Sequence, residues 1–187
     1  VNVIIFGPPG AGKGTQSNNI VTKFNLHQVS TGDLLRNEVK NKTDIGRDIE
    51  NIISKGDFAT DEIVNELIKK IVYDPQKKNK LIFDGYPRSL NQANNLDLLL
   101  KGSDQKIDFI FFLNVNKNTI IKRIEKRRFL EKRTDDNLNT ILKRYDTYME
   151  TTRPVLDFYS KNPNFYEING DEEISIISSK IEKILTL

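Results

Sequence analysis

The chain has 187 residues, 37% of them apolar and 29% charged, with a formal net charge of +3; that is one domain's worth of core, and the charge excess is too small to argue for a nucleic-acid partner. The absence of cysteine and the single histidine, His27, exclude disulfides, thiolate zinc sites, cysteine nucleophiles and histidine-cluster metal sites, so chemistry has to rest on Lys, Arg, Asp and a bound metal. No window nears the ~18 consecutive apolar residues of a membrane span, and the apolar opening Val1-Asn2-Val3-Ile4-Ile5-Phe6 runs into a glycine loop rather than a cleavage site, so a cytoplasmic location without a membrane partner is expected.

In chain order, 3–6 reads as a strand and 13–24 as a helix, followed by a weaker strand at 28–30. Helices are then expected over 32–40, 44–54 and 61–73, a strand over 81–83, a helix over 90–100 and a strand over 109–113. The remainder reads as helices over 119–127 and 136–152, a weaker strand at 165–168 and a final helix over 173–187. The strand runs are short, β-branched or aromatic, and end at turn signals, as strands covered on both faces do. Their alternation with helices predicts an α/β protein with a parallel sheet and helices on both faces. Residues 33–73 add helices between the second and third strands with no strand among them, a lobe able to move against the sheet and cover a substrate.

Gly7-Pro8-Pro9-Gly10-Ala11-Gly12-Lys13-Gly14-Thr15 contains G-x-x-x-x-G-K directly after a strand and at the opening of a helix, the context a phosphate loop requires. Gly14 stands where Ser or Thr is usual, and Thr15 follows it. Glycines let backbone N–H groups turn inward around phosphate oxygens, the helix N-terminus adds a favourable dipole, and Lys13 adds a mobile positive charge. A nucleoside triphosphate site is expected here. Residues 122–133 carry seven basic side chains against two acidic ones, a second place for phosphates, although Lys126, Arg128 and Lys132 read equally as solvated surface.

Two further segments, Ser30-Thr31-Gly32-Asp33-Leu34-Leu35-Arg36 and Asp84-Gly85-Tyr86-Pro87-Arg88 with Gln92-Ala93, complete a pattern that resembles adenylate kinases along the whole chain. Gly14 before Thr15 is itself a habit of that family. The resemblance implies a P-loop kinase fold: a five-stranded parallel sheet in the order 2-3-1-4-5, with helices on both faces. It further implies a core of 1–30, 74–127 and 135–187, an AMP-binding helical lobe over 31–73 and a short lid over 128–134. A lid this short resembles that of UMP/CMP kinases, and without cysteine it holds no zinc. By the same resemblance the chain is a monomer whose small-molecule substrates are ATP and AMP. Its activity is then the reversible, Mg²⁺-dependent transfer of the ATP γ-phosphoryl group to AMP, giving two ADP and balancing the adenine nucleotides.

The resemblance also assigns residues. ATP falls to Gly10, Ala11, Gly12, Lys13, Gly14, Thr15, Arg127 and Gly170, with the flat guanidinium of Arg123 stacked on the adenine. AMP falls to Thr31, Arg36, Phe58, Ala59, Gly85, Arg88, Gln92, Arg133 and Arg144. Catalysis falls to Lys13, Arg88, Arg127, Arg133 and Arg144, because guanidinium groups stay charged and grip phosphate in fixed geometry. Asp84, at the end of a buried strand, would orient Mg²⁺ through water; read alone it is also a plain turn aspartate. Asp135 and Asp136 suit either the lid arginines or the start of the next helix. Gln92 offers a donor and an acceptor to adenine, and with Thr31 it favours AMP over CMP or UMP. His27 reads as a packing or edge residue.

Overall fold

The structure is a computed structural model that describes residues 1–55, 57, 59–131 and 138–186. Five strands form one sheet: β1 (Val3–Phe6), β2 (His27–Ser30), β3 (Leu81–Asp84), β4 (Phe109–Asn114) and β5 (Phe165–Asn169). Every pairing is parallel and the order is β2-β3-β1-β4-β5, as expected. All residues of β1 and β3 are buried, because helices cover both faces of a parallel sheet. The two-residue strand period then splits β1 between two cores. Ile4 and Phe6 join Val29, Phe83, Tyr86, Leu96 and Val155 on one side, while Val3 and Ile5 join Ile20, Ile82, Phe111, Ile124 and Ile177 on the other. His27, at the outer strand β2, is exposed.

The helices are α1 (Lys13–Phe24), α2 (Thr31–Lys40), α3 (Asp44–Ser54), α4 (Asp61–Val72), α5 (Leu90–Gly102), α6 (Lys117–Glu131), α7 (Leu138–Thr147), α8 (Arg153–Tyr159) and α9 (Ile174–Leu185), with a 3₁₀ turn at Pro75–Lys77. Helices α2 to α4 lie between β2 and β3 in the chain with no strand among them. Side-chain oxygens start the first two of them: Ser30 Oγ accepts from Asp33 N–H and Thr43 Oγ1 from Gly46 N–H, each satisfying a donor that the first helical turn leaves open.

Two expectations need correction. Helix α6 runs on to Glu131 instead of ending at Arg127, since neither glycine nor proline interrupts 128–131 and Arg, Leu and Glu favour helix. The helix expected over 136–152 is instead α7, then a π-helical turn at Tyr148–Thr152, then α8. Pro154 lies in the first turn of α8, where its missing N–H is tolerated, and the wider turn absorbs the break in the hydrogen-bond ladder. Among the described residues no helix is long and apolar enough to cross a membrane.

Candidate active site

The chain leaves β1 at Phe6 and turns into α1 through the loop 7–12, so the loop lies at the C-terminal edge of the sheet, where parallel α/β folds bind ligands. Gly12 precedes α1 in a left-handed conformation, φ 94°, and no side chain caps the helix; its first N–H groups are therefore open to an anion. At Gly10, φ +81°, a Cβ would come within 2.8 Å of the Ile124 side chain on α6, so glycine is what lets the loop lie against that helix. The Lys13 ammonium folds back over the loop and donates to the carbonyls of Gly7, at 2.8 Å, and Pro8, at 3.1 Å.

Asp84 ends β3 beside the start of α1 and is almost wholly buried. Gln28 Nε2 donates to its Oδ2 at 3.0 Å. Burial raises its pKa, and the Lys13 charge and the Gln28 hydrogen bond only partly offset that. Burial likewise pulls Lys13 down to about 8, Asp84 opposing and Arg88, Arg144 and Arg127 adding to the fall. The site thus concentrates positive charge where water is scarce, an arrangement that a polyanion would relieve.

Gly85 and Arg88 follow in the turn before α5. Arg88 Nε donates to the Gly85 carbonyl at 2.6 Å, and Thr31 Oγ1 donates to the same oxygen at 2.9 Å. Burial, and after it the neighbouring Arg144, lower the Arg88 guanidinium to about 10. Arg36 pairs with Asp33 at 2.6 Å on α2. Arg123 does not stand clear of the loop: it donates to Ala11 O at 3.2 Å and to Gly170 O at 2.8 Å, which holds its plane between the phosphate loop and the turn after β5.

Two cavities result. The larger, about 600 Å³, is lined by residues 9–16 together with Asp84, Arg123, Arg127 and Lys126. A narrower one lies under the α2–α3 lobe, lined by Thr31, Leu35, Ile53, Ala59, Val64, Gly85 and Gln92. Gly32, Arg36, Arg88 and Arg144 line both, so the cavities adjoin at a wall of three guanidinium groups. The structure therefore brings together every expected site residue that it describes, Gly170 through its bond to Arg123. Phe58, Arg133, Asp135 and Asp136 lie outside the described residues.

Several contributors were not anticipated. Gln28, Ile53 and Val64 line the cavities, and Asp61 and Thr152 hold lining residues from behind, accepting from Gln92 Nε2 at 2.7 Å and donating to Arg88 O at 3.1 Å respectively. Their spacing carries no motif; Gln28 alone had a local signal, a polar side chain two residues before the end of a strand leading to the site.

The family model described as adenylate kinase matches residues 5–164. The chain is 48% identical to an adenylate kinase of Pelagibacter ubique (strain HTCC1062), over 211 aligned positions that open gaps in this shorter chain and span 99% of each protein. It is 40% identical to one of Azobacteroides pseudotrichonymphae, over 98% of this chain and 97% of the relative. For one of Mycoplasma capricolum the identity is 36%, over 91% and 92%. The family match takes in the phosphate loop, Asp84 and all three arginines of the shared wall, and with relatives aligned nearly end to end it shows that the chain belongs to the adenylate kinase family.

Proposed function

We propose that the protein binds Mg-ATP along the phosphate loop and AMP beneath α2 and α3, and transfers the γ-phosphoryl group between them, reversibly, to give two ADP. The observation that carries this reading is the shared wall of Arg36, Arg88 and Arg144 between two cavities, one of them built on the phosphate loop. A nucleotide in each would set its phosphates against that wall from opposite sides.

The acceptor phosphate is largely ionised near neutral pH, so no strong general base is needed. One of its oxygens forms the new bond to the γ-phosphorus while the bond to the β–γ bridging oxygen breaks, and that oxygen leaves with the electron pair on ADP. The protein's work is to hold the groups in line and to neutralise the charge spread over the transferring group. Lys13 would exchange the carbonyls of Gly7 and Pro8 for phosphate oxygens, with Gly10, Ala11, Gly12, Gly14 and Thr15 around them. Arg36 and Arg88 would hold the AMP phosphate, and Arg127, Arg133 and Arg144 would close on the transferring group. Arg123, held by the carbonyls of Ala11 and Gly170, would cover the ATP adenine. Thr31, Phe58, Ala59, Gly85 and Gln92 would receive AMP.

Among the described residues no cluster of His, Cys, Asp or Glu could cage a metal by itself, which fits Mg²⁺ arriving with the nucleotide and keeping most of its waters. Asp84, a buried carboxylate facing the cleft beside Lys13, would hold those waters. When bound, the ion supplies charge neutralisation on the phosphate oxygens.

The division into a core (1–30, 74–127, 135–187), an AMP lobe (31–73) and a short lid (128–134) belongs to the same reading, as do a monomeric state and a cytoplasmic location. Closing lobe and lid would exclude water before the arginines converge. The test is to incubate the purified protein with Mg-ATP and, separately, AMP, CMP, UMP and GMP, and to separate the products. Stoichiometric ADP with AMP alone is expected. Preference for CMP or UMP would overturn the acceptor assignment, and no transfer to any of them the whole reading.

A further inference from the structure

We propose that Asp61 is the positioning residue for acceptor-base specificity: it locks the Gln92 carboxamide in the one orientation that pairs with a 6-aminopurine. This rests on reading the narrower cavity as the AMP site.

Gln92 is buried, in the first turn of α5, and lines that cavity. Its Oε1 accepts from Arg88 N–H at 2.7 Å, and its Nε2 donates to Asp61 Oδ1 at 2.7 Å. The other Asp61 oxygen accepts from Ser89 Oγ and from Asn91 Nδ2, both at 3.0 Å. Asp61 itself opens α4 and does not line either cavity, so it acts through Gln92.

A backbone N–H can only donate and a carboxylate can only accept. Turning the carboxamide over would set its NH₂ against the Arg88 N–H and its oxygen against the carboxylate. Both of its ends are therefore assigned, yet each keeps capacity, because the oxygen has a second lone pair and the nitrogen a second proton. What remains for a ligand is one acceptor and one donor in fixed order. Adenine presents an N6 donor beside an N1 acceptor, whereas a 6-oxopurine presents O6 as acceptor beside an N1–H donor, the reverse order. A carboxamide free to turn would pair with either base. Discrimination thus comes from the Asp61–Gln92–Arg88 arrangement and not from glutamine alone.

The experiment measures kcat/KM for AMP and for IMP at saturating Mg-ATP in the wild type, Asp61→Leu and Asp61→Asn. Asp61→Leu is expected to lower the AMP:IMP ratio about tenfold and leave the KM for ATP within about twofold, the size of one mispaired base contact. Asp61→Asn, whose carbonyl can still accept from Gln92, is expected to recover most of the ratio. A structural role alone would depress both acceptors equally, and an unchanged ratio in Asp61→Leu overturns the proposal. A measurement on the wild type covers the case in which that variant does not fold. The Gln92 side-chain amide protons should exchange with water far more slowly than those of exposed Gln76, and equally fast exchange overturns the proposal. If the wild type does not phosphorylate AMP, the proposed function fails, while the exchange experiment still decides whether Gln92 is locked.

Discussion

The Lys13 ammonium donates a 2.8 Å hydrogen bond to the Gly7 carbonyl, across the loop that it follows. Its pKa is drawn down by burial to about 8. The unfolded chain keeps the ordinary value of 10.5 and so binds more protons between the two; this group's contribution to stability therefore rises as pH climbs through that window. Polyphosphate in the loop favours the ammonium and raises its pKa again. Calorimetry in buffers of differing ionisation enthalpy should then detect proton uptake on Mg-ATP binding at pH 9, little at pH 7, and none at either pH in Lys13→Met. Binding at pH 9 without uptake would show that the ammonium is not what meets the phosphates.

Arg88 has a different constraint, because its Nε–H is already committed to Gly85 O at 2.6 Å while the same guanidinium lines both cavities. Lysine cannot reproduce a donor on each side. Arg88→Lys and Arg88→Ala should therefore both lose about 10²–10³ in kcat, the range for removing a donor aimed at transition-state charge. A lysine variant within about threefold of wild type would mean that charge alone suffices there.

Asp84 separates stability from activity. Its pKa is raised because burial outweighs the help of Lys13 and Gln28, so above the ordinary carboxylate value the folded state binds more protons than the unfolded one. Stability from this group is lost as pH rises through that window, and at neutral pH the charge is a net cost to the fold. Asp84→Asn should melt no lower than wild type at pH 7, while phosphoryl transfer falls at least about 10²-fold and is not restored by raising Mg²⁺. A lower melting temperature would place Asp84 among the groups that hold the fold together.

Most element bounds were legible because their signals are local, whereas the strand order came only with the family resemblance that the motifs carry. Lys13–Phe24 and Asp44–Ser54 agree with expectation to the residue, each preceded by a residue that starts helices, Gly12 in the loop and Thr43 as a side-chain cap. Helix α8 was not legible, because Pro154 reads as a stop and only the packing of Val155, Leu156 and Tyr159 into the core makes it a start. The motifs likewise located Lys13, Asp84, Gly85, Arg88 and Gln92 but not what orients them. Asp61 sits 31 positions from Gln92, and Thr152 64 positions from Arg88, and no spacing rule connects pairs that only the folded chain brings together.

Gly85 ties these observations to one substitution. Its φ of +75° lies in the left-handed region, and a Cβ there would stand 2.8 Å from Arg88 Nη2 and 3.4 Å from Thr31 Oγ1. The backbone strain of Gly85→Ala is about 1–2 kcal/mol, which lowers the melting temperature by roughly 2–8 °C in a chain of this size. The clash falls on the end of a flexible side chain, so the fold survives and the guanidinium moves. Moving it breaks the Nε–H bond to Gly85 O and shifts Arg88 within the wall shared by both cavities. The alanine variant should thus raise the KM for AMP and lower kcat together while the KM for ATP stays near the wild-type value, because residues 9–16 are untouched. Steady-state kinetics varying each substrate in turn, with a melting curve beside them, tests this. A variant that loses only stability would mean that Arg88 works from another position once AMP is bound.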